Sequence, residues 1–158
     1  MFVFIRAITF ATLFIAFFLI FIPGSLLSGA GITRPTEIGW QQVAGFAAGT
    51  AGAVLALWCI LAFVTIGKGT PAPFDPPRQL VIQGPYRFVR NPMYIGATVA
   101  LAGAGLYYQS ASLGIYALIF VLICHLFVLI YEEPTLRRSF EREYADYCSR
   151  VHRWLPRI

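Results

Sequence analysis

A short polar segment between two apolar runs contains the residue types best suited to bind an anion. Residues 84–94 read Gly-Pro-Tyr-Arg-Phe-Val-Arg-Asn-Pro-Met-Tyr. Arg87 and Arg90 offer planar guanidiniums three residues apart, and Pro85 and Pro92 restrict the backbone beside them. Rigid bidentate donors of this kind suit a carboxylate or a phosphate. The segment therefore indicates a binding site, and a basic loop that only anchors the chain at the membrane surface is the alternative.

A second group of ionisable side chains lies at the end of the last long apolar run. Glu132 and Glu133 follow this run directly, and His125 lies within it. Seven residues at about 100° each would place His125 and Glu132 on one helix face, two turns apart. Ionisable side chains at membrane depth are candidates for a functional site, and a hydrogen-bonded packing role for His125 is the alternative.

The composition indicates that membrane helices position these residues. Of 158 residues, 58% are hydrophobic and 12% charged, which is more apolar surface than one small soluble core can bury. Runs at 2–22, 43–66 and 113–131 are long enough to cross about 30 Å of hydrocarbon, and a shorter run covers 94–108. The last two runs are so close together that they predict an antiparallel helical hairpin. We therefore predict an all-α, single-domain integral membrane bundle of four transmembrane helices.

Basic residues are distributed unevenly between the predicted loops. Four lie in the linker 67–93 and six in the tail 134–158, whereas the first loop contains Arg34 alone and the hairpin turn none. The positive-inside rule predicts that both termini, the linker and the tail are cytoplasmic. This topology and contact with anionic lipids explain the net charge of +5, so no nucleic-acid partner is predicted. The weakly basic start and long first run favour a retained helix over a signal peptide.

Two segments flank the candidate site on the predicted cytoplasmic side. Four prolines and two glycines within 67–77 exclude a regular helix and predict an ordered linker, either a spacer or a lid. The tail 134–158 is predicted to begin as an amphipathic interfacial helix. Its apolar and aromatic residues recur at helical spacing at Leu136, Phe140, Tyr144 and Tyr147. The three cysteines are scattered without the spacing of a metal site, so no bound metal is predicted.

Taken together, these segments resemble the isoprenylcysteine carboxyl methyltransferase and phospholipid methyltransferase superfamily. The match runs from about residue 68 to residue 156. It is carried by Gly84-Pro85-Tyr86-Arg87, Arg90-Asn91-Pro92-Met93-Tyr94-Ile95-Gly96, Glu132-Glu133, and Phe140, Tyr144, Tyr147, Arg150, Val151, Leu155 and Pro156. The family motif usually has a histidine between arginine and proline, where this chain has Asn91.

The resemblance implies a membrane enzyme that methylates a lipophilic acceptor with S-adenosylmethionine at the cytoplasmic face. The acceptor would be a prenylated cysteine carboxylate or a phospholipid amine from the bilayer. Arg90 is expected nearest the acceptor, where it could hold a carboxylate in line. Glu132 is the candidate to accept the proton of an amine acceptor. The residues expected around the cofactor are His125, Glu133, Tyr94, Tyr144, Tyr147 and Arg150, with Gly103 and Gly105 matching a family Gly-x-Gly motif.

Two other classes of membrane protein are compatible with the sequence. A sterol-reductase-like enzyme would have a similar helical architecture and bind a reduced nicotinamide. This larger and more anionic ligand would need soluble elements that the short chain lacks. A non-catalytic membrane subunit would use the same motifs to bind a partner protein. The sequence carries no signal for an oligomeric state.

Overall fold

The computed structural model describes residues 2–67 and 78–157, and within these ranges the regular structure is helical. The six α-helices are α1 Phe2–Phe14, α2 Ile22–Gly29, α3 Trp40–Thr65, α4 Pro92–Tyr107, α5 Ala111–Phe127 and α6 Glu133–Arg150. The predicted all-α class is confirmed for these ranges. Apart from Gly67, the predicted spacer or lid at 67–77 lies outside them.

Three helical stretches are long and apolar enough to cross a membrane. They are Ile8–Gly29, Trp40–Thr65 and a stretch within Ala111–Arg150. Helix α4 is also apolar but has only 16 residues, or about 24 Å at 1.5 Å per residue, against about 30 Å of hydrocarbon. The membrane character of the chain is therefore supported, and the count of four complete spans stays a prediction.

The first helix continues beyond the predicted membrane span 2–22, and Pro23 does not end it. The π-helical segment Ile15–Phe21 joins α1 to α2, and the helix continues to Gly29 rather than ending at residue 22. The N–H of Ile22 donates to the carbonyl of Phe17, five residues back. A proline in a regular α-helix clashes with the carbonyl four residues before it, and the wider π-turn relieves this clash.

Helices α3 and α4 pack through a seam of glycines. A Cβ atom added at Gly45 would lie 2.5 Å from the backbone nitrogen of Tyr107, and one added at Gly52 would lie 2.5 Å from that of Ala100. A Cβ at Gly103 would overlap the backbone of Gly49. Only residues without side chains permit so close an approach. The seam fixes α4, and with it the residues at its first turn, against α3.

The last span and the tail form one continuous helical stretch. A second π-helical segment, Val128–Glu132, joins α5 to α6 without a break, and the predicted end of the membrane span at residue 131 stays a prediction. The apolar residues end there, but the backbone hydrogen bonding continues through a π-turn. Non-helical dihedral angles at Glu141 then kink α6.

After α6 the chain returns to the segment that precedes α4. Val89 and His152 form an isolated parallel β-bridge, and the backbone N–H of Arg90 donates to the carbonyl of His152 at 2.9 Å. This return places the end of the chain beside the arginine segment.

Candidate functional site

The π-helical segment Val128–Glu132 ends at two consecutive glutamates that have different partners. Glu132 faces α4, where its Oε2 accepts a hydrogen bond of 2.9 Å from the hydroxyl of Tyr94. Glu133 is buried and faces the end of the chain instead. Consecutive helical residues point about 100° apart, and π-turns are frequent at functional sites.

Glu133 is the centre of an ion cluster. Arg153 binds it bidentately, with Nε 2.7 Å from Oε1 and Nη2 3.0 Å from Oε2. Nη1 of Arg90 lies 3.2 Å from the same Oε1. The hydrogen bonds to Glu133 raise the pKa of the Arg153 guanidinium, so this side chain is held cationic. Two guanidiniums and one carboxylate leave the cluster with an excess of one positive charge.

Arg90 keeps one donor unused. Its Nη1 also donates to Sγ of Cys148 at 2.7 Å, whereas its Nε is buried and has no hydrogen-bond partner in the part of the chain that the structure describes. A buried N–H without a partner is costly, and such groups usually belong to a site that a ligand or water completes. Arg90 can therefore donate a further hydrogen bond from its Nε to an anionic group.

The residues after α6 form what we call the C-terminal strap, Val151–Trp154. Asn91 Nδ2 donates to the carbonyl of Arg153 at 3.3 Å, and Trp154 Nε1 donates to Nδ1 of His125 at 3.0 Å. Asn91, which replaces the family's histidine, thus holds the strap through its amide. His125 acts as an acceptor for the strap and contacts a different element from Glu132.

A small polar cavity lies between the ion cluster and α6. Its volume is about 30 Å³, which is room for a water molecule or two. Its polar and aromatic lining consists of Tyr86, Arg90, Asn91, Glu132, Glu133, Tyr144 and Tyr147. Tyr144 and Tyr147 are buried, and the hydroxyl of Tyr147 donates to the carbonyl of Tyr86 at 2.6 Å. Apolar side chains such as Leu80, Val81 and Val128 complete the lining around these polar groups.

A much larger apolar cavity lies between the first helix, α3, α4 and α5. Its volume is about 610 Å³, within the usual range for small-molecule pockets. Aliphatic and aromatic side chains such as Phe14, Phe18, Ile60 and Phe120 line it, and Tyr94 lies in its wall. The Tyr94–Glu132 hydrogen bond therefore joins a residue of the apolar cavity to a residue of the polar one.

The phospholipid methyltransferase family matches residues 40–143 of this chain, about two thirds of its length. The chain belongs to this family. The predicted superfamily is thereby confirmed, and membership indicates a membrane methyltransferase. The ion cluster's Arg153 and the rest of the strap lie beyond the matched region.

A curated relative is the nickel-cobalt-cadmium resistance protein NccN of Alcaligenes xylosoxydans xylosoxydans. The two are 32% identical over 124 residues, which cover 75% of this chain and 53% of the relative. The chain thus spans about half the length of this relative. No solved structure matches the chain significantly.

Several of the residues that the family resemblance singled out lie together in this phospholipid methyltransferase family member. Arg90, Glu132, Glu133, Tyr144 and Tyr147 all line the polar cavity. Tyr94 is bonded to Glu132 of this lining, whereas His125 is bonded to Trp154 of the strap, which is not part of the lining. These residues come from three separate parts of the sequence, and the π-turn and the strap bring them together.

Three of the predicted residues lie elsewhere. Gly103 is in the α3–α4 seam, and Gly105 lies against Gly114 and Leu113 in the hairpin. Arg150 is exposed on α6, where its Nε donates to the carbonyl of Asp146 at 3.2 Å. Their predicted cofactor roles stay predictions, and the structure gives both glycines a packing role.

Sequence reasoning missed Arg153 and Trp154 as site residues. Their partners, Glu133 and His125, lie 20 and 29 positions earlier in the chain. The tail contains six arginines, and no local periodicity distinguishes the one that binds Glu133. The available signal was the need of a buried glutamate for a cation, which names the residue type and not the position.

Proposed function

We propose that this protein transfers the methyl group of S-adenosylmethionine to a lipophilic acceptor at the cytoplasmic membrane face. The observation that carries the proposal is the pair of cavities, a small one lined by Arg90 and two glutamates and a larger apolar one, which the hydrogen bond between Tyr94 and Glu132 joins. Family membership supports methyl transfer. The two cavities add the reason for expecting a charged cofactor and an apolar acceptor side by side.

The donor set of the polar cavity fits the groups of S-adenosylmethionine. The Nε of Arg90, which is buried and has no partner among the described residues, suits a carboxylate. Glu133 can accept from an ammonium or a ribose hydroxyl, and the rings of Tyr144 and Tyr147 can pack against adenine. When bound, this cofactor would supply an electrophilic methyl group on a sulfonium. His125 would contribute by holding the strap through Trp154.

The polar cavity must enlarge before it can hold such a molecule. Its volume of about 30 Å³ is below the 300–1,000 Å³ or so of typical ligand pockets. The strap lies beside this cavity, because its Arg153 binds Glu133 of the lining, and hydrogen bonds from Asn91 and Trp154 hold it against the helices. We therefore propose that the cofactor enters as the strap opens and is enclosed as it closes.

The apolar cavity suits the hydrocarbon part of the acceptor. Methyl transfer is an in-line displacement, so the chain's residues need mainly to align the nucleophile with the methyl group. For an amine acceptor Glu132 would take the proton, whereas a carboxylate acceptor held by Arg90 would compete for this guanidinium with the cofactor's carboxylate. Both residues line the polar cavity, so either acceptor head would have to pass Tyr94 to reach them.

Binding of S-adenosylhomocysteine separates this proposal from its alternatives. We expect the purified protein to bind S-adenosylhomocysteine in a calorimetric titration and not to bind a nicotinamide dinucleotide. Binding of the dinucleotide instead would favour a sterol-reductase-like enzyme, and binding of neither would favour a non-catalytic subunit.

A matched pair of arginine variants locates the binding site. Arg90→Ala should weaken S-adenosylhomocysteine binding at least tenfold, because the variant loses the unused donor. Arg87→Ala should leave binding unchanged, since Arg87 is exposed and packs over the ring of Phe88. Equal effects of the two variants would mean that only the overall charge of this segment matters.

A further inference from the structure

Tyr94 belongs to the wall of one cavity and is bonded to a residue of the other. Its side chain lines the apolar cavity, whereas its hydroxyl donates to Oε2 of Glu132, which lines the polar cavity. The sequence resemblance placed Tyr94 around the cofactor. In the structure, the hydroxyl of Tyr94, its one polar side-chain group, donates to Glu132 instead.

Several local features hold Tyr94 in this position. It lies in the first turn of α4, which begins at Pro92, and the glycine seam fixes α4 against α3. The hydroxyl of Thr98 donates to the carbonyl of Tyr94 at 2.8 Å, one turn later. A phenol on a fixed helical turn has only two side-chain torsions, so its hydroxyl is a defined point in space.

Glu132 gains its orientation from this bond. A glutamate side chain has three torsions and can adopt many rotamers when no partner holds it. Glu132 ends the π-helical segment, and its neighbour Glu133 is held by Arg153 and Arg90. The hydroxyl of Tyr94 supplies the corresponding partner for Glu132, and a hydrogen bond to a carboxylate is among the stronger kinds.

We infer that Tyr94 is a positioning residue that holds the Glu132 carboxylate at the junction of the two cavities, where the acceptor's reactive group meets the methyl donor. This inference rests on the proposed function and deepens it. An acceptor with its chain in the apolar cavity reaches Glu132 only past Tyr94. Loss of the hydroxyl leaves the cofactor's binding groups intact and disturbs the alignment of the acceptor.

Tyr108 provides a control for this inference. It directly follows the last residue of α4 and packs against the ring of Tyr107, with the ring centroids 5.0 Å apart. It is in the lining of neither cavity and has no contact with Glu132 among the hydrogen bonds of the described residues. Tyr108→Phe therefore removes a phenol hydroxyl at the other end of the helix that carries Tyr94, away from the junction.

The test compares Tyr94→Phe, Tyr108→Phe, Glu132→Gln and the double variant Tyr94→Phe/Glu132→Gln. Each is placed in vesicles of phosphatidylethanolamine and phosphatidylglycerol that also contain S-farnesylcysteine, with radiolabelled S-adenosylmethionine. Calorimetry with S-adenosylhomocysteine and melting in detergent are measured in parallel. We expect Tyr94→Phe to lower kcat at least tenfold, with S-adenosylhomocysteine affinity within twofold of the wild type. Tyr108→Phe should change neither quantity more than twofold.

The double variant tests whether Tyr94 acts through Glu132. We expect it to be no slower than Glu132→Gln alone, because residues that act as a unit are not additive. A double variant that is slower than Glu132→Gln alone would overturn the inference. An unchanged kcat in Tyr94→Phe would also overturn it, and so would a loss of S-adenosylhomocysteine affinity in Tyr94→Phe that parallels the loss of kcat. Failure of the wild type to bind S-adenosylhomocysteine or to label either acceptor would overturn the proposed function, and the inference with it.

Discussion

At the scale of single residues, the site depends on how two neighbouring carboxylates are partnered. Glu133 is buried between the guanidiniums of Arg90 and Arg153, and Glu132 is bonded to a phenol. Removal of one partner from a buried ion cluster leaves an uncompensated charge, which costs more than loss of a surface pair. Each partner of Glu133 therefore matters for the shape of the polar cavity as well as for its charge.

The sequence and the structure lead to opposite predictions about which of Arg150 and Arg153 contributes to cofactor binding. The family resemblance favours Arg150 as a cofactor residue, whereas the geometry favours Arg153, which binds Glu133 bidentately while Arg150 is exposed. Arg153→Ala should weaken S-adenosylhomocysteine binding roughly tenfold or more, because a charge-assisted hydrogen bond contributes about 1.5–3 kcal/mol. Arg150→Ala should change it less than threefold.

Calorimetry on the two variants decides between them, with Glu133→Gln as a reference that removes the shared carboxylate charge. Glu133→Gln should weaken binding about as much as Arg153→Ala. A larger loss in Arg150→Ala than in Arg153→Ala would restore the family-based assignment and remove the strap from the site.

Residue types were predictable from the sequence, and residue partners were not. The motif at 84–94 and the glutamate pair gave Arg90, Glu132 and Glu133 directly. Arg153 lies in an arginine-rich tail, and its role depends on the chain returning to Val89 through the β-bridge with His152. No local pattern contains that return.

At the scale of helices, two π-turns and one glycine seam decide what the site looks like. The π-turn Val128–Glu132 joins the last span to α6 and ends at the two glutamates, and Ile15–Phe21 keeps the first helix continuous past Pro23. Hydropathy identifies the apolar runs but contains no signal for a π-turn, so the continuation of the helices past residues 22 and 131 could not be predicted from it. Gly103 of the seam is compatible with two roles, close packing of helices and the family's Gly-x-Gly cofactor motif.

A glycine pair distinguishes packing from cofactor binding. A Cβ at Gly103 would overlap the backbone of Gly49, whereas a Cβ at Gly114 in α5 meets nothing within 4 Å. Gly103→Ala should lower the melting temperature in detergent by several degrees, since overpacking costs about 1–3 kcal/mol. Gly114→Ala should leave it unchanged or raise it slightly, because alanine favours a helix.

The two measurements needed are melting and S-adenosylhomocysteine binding at a temperature where both variants are folded. We expect folded Gly103→Ala to bind within about threefold of the wild type. A variant with wild-type melting and abolished binding would instead support the Gly-x-Gly motif as part of the cofactor site.

At the scale of the whole molecule, methyl transfer to a membrane acceptor requires the polar cavity to face the cytoplasm and the apolar cavity to lie in the bilayer. The apolar cavity is lined by three helical stretches that are long and apolar enough to span a membrane and by the shorter apolar helix α4. The polar cavity lies between α6, the end of the last apolar run and the arginine segment. The charge distribution of the sequence predicts that this end is cytoplasmic.

Reporter fusions test this orientation. A reporter after Ile158 should give a cytoplasmic signal, because the basic tail and the basic linker share one side. Reporters inserted at Thr36 and at Ser110 should give the opposite signal, since these loops contain almost no basic residues. The insertion at Ser110 is the more informative of the two, because Ser110 caps α5 in the turn between α4 and α5. A cytoplasmic signal there would mean that α4 does not cross the bilayer.

Methyl transfer itself is the most direct test of the central claim. Purified protein in vesicles of phosphatidylethanolamine and phosphatidylglycerol with S-farnesylcysteine would be incubated with S-adenosylmethionine labelled in its methyl group. The account predicts label in the lipid-soluble fraction, formed in proportion to protein and abolished by excess S-adenosylhomocysteine. Chromatography then distinguishes the amine product from the carboxylate product. Absence of label in both products, from protein that is folded and correctly inserted, would contradict the account.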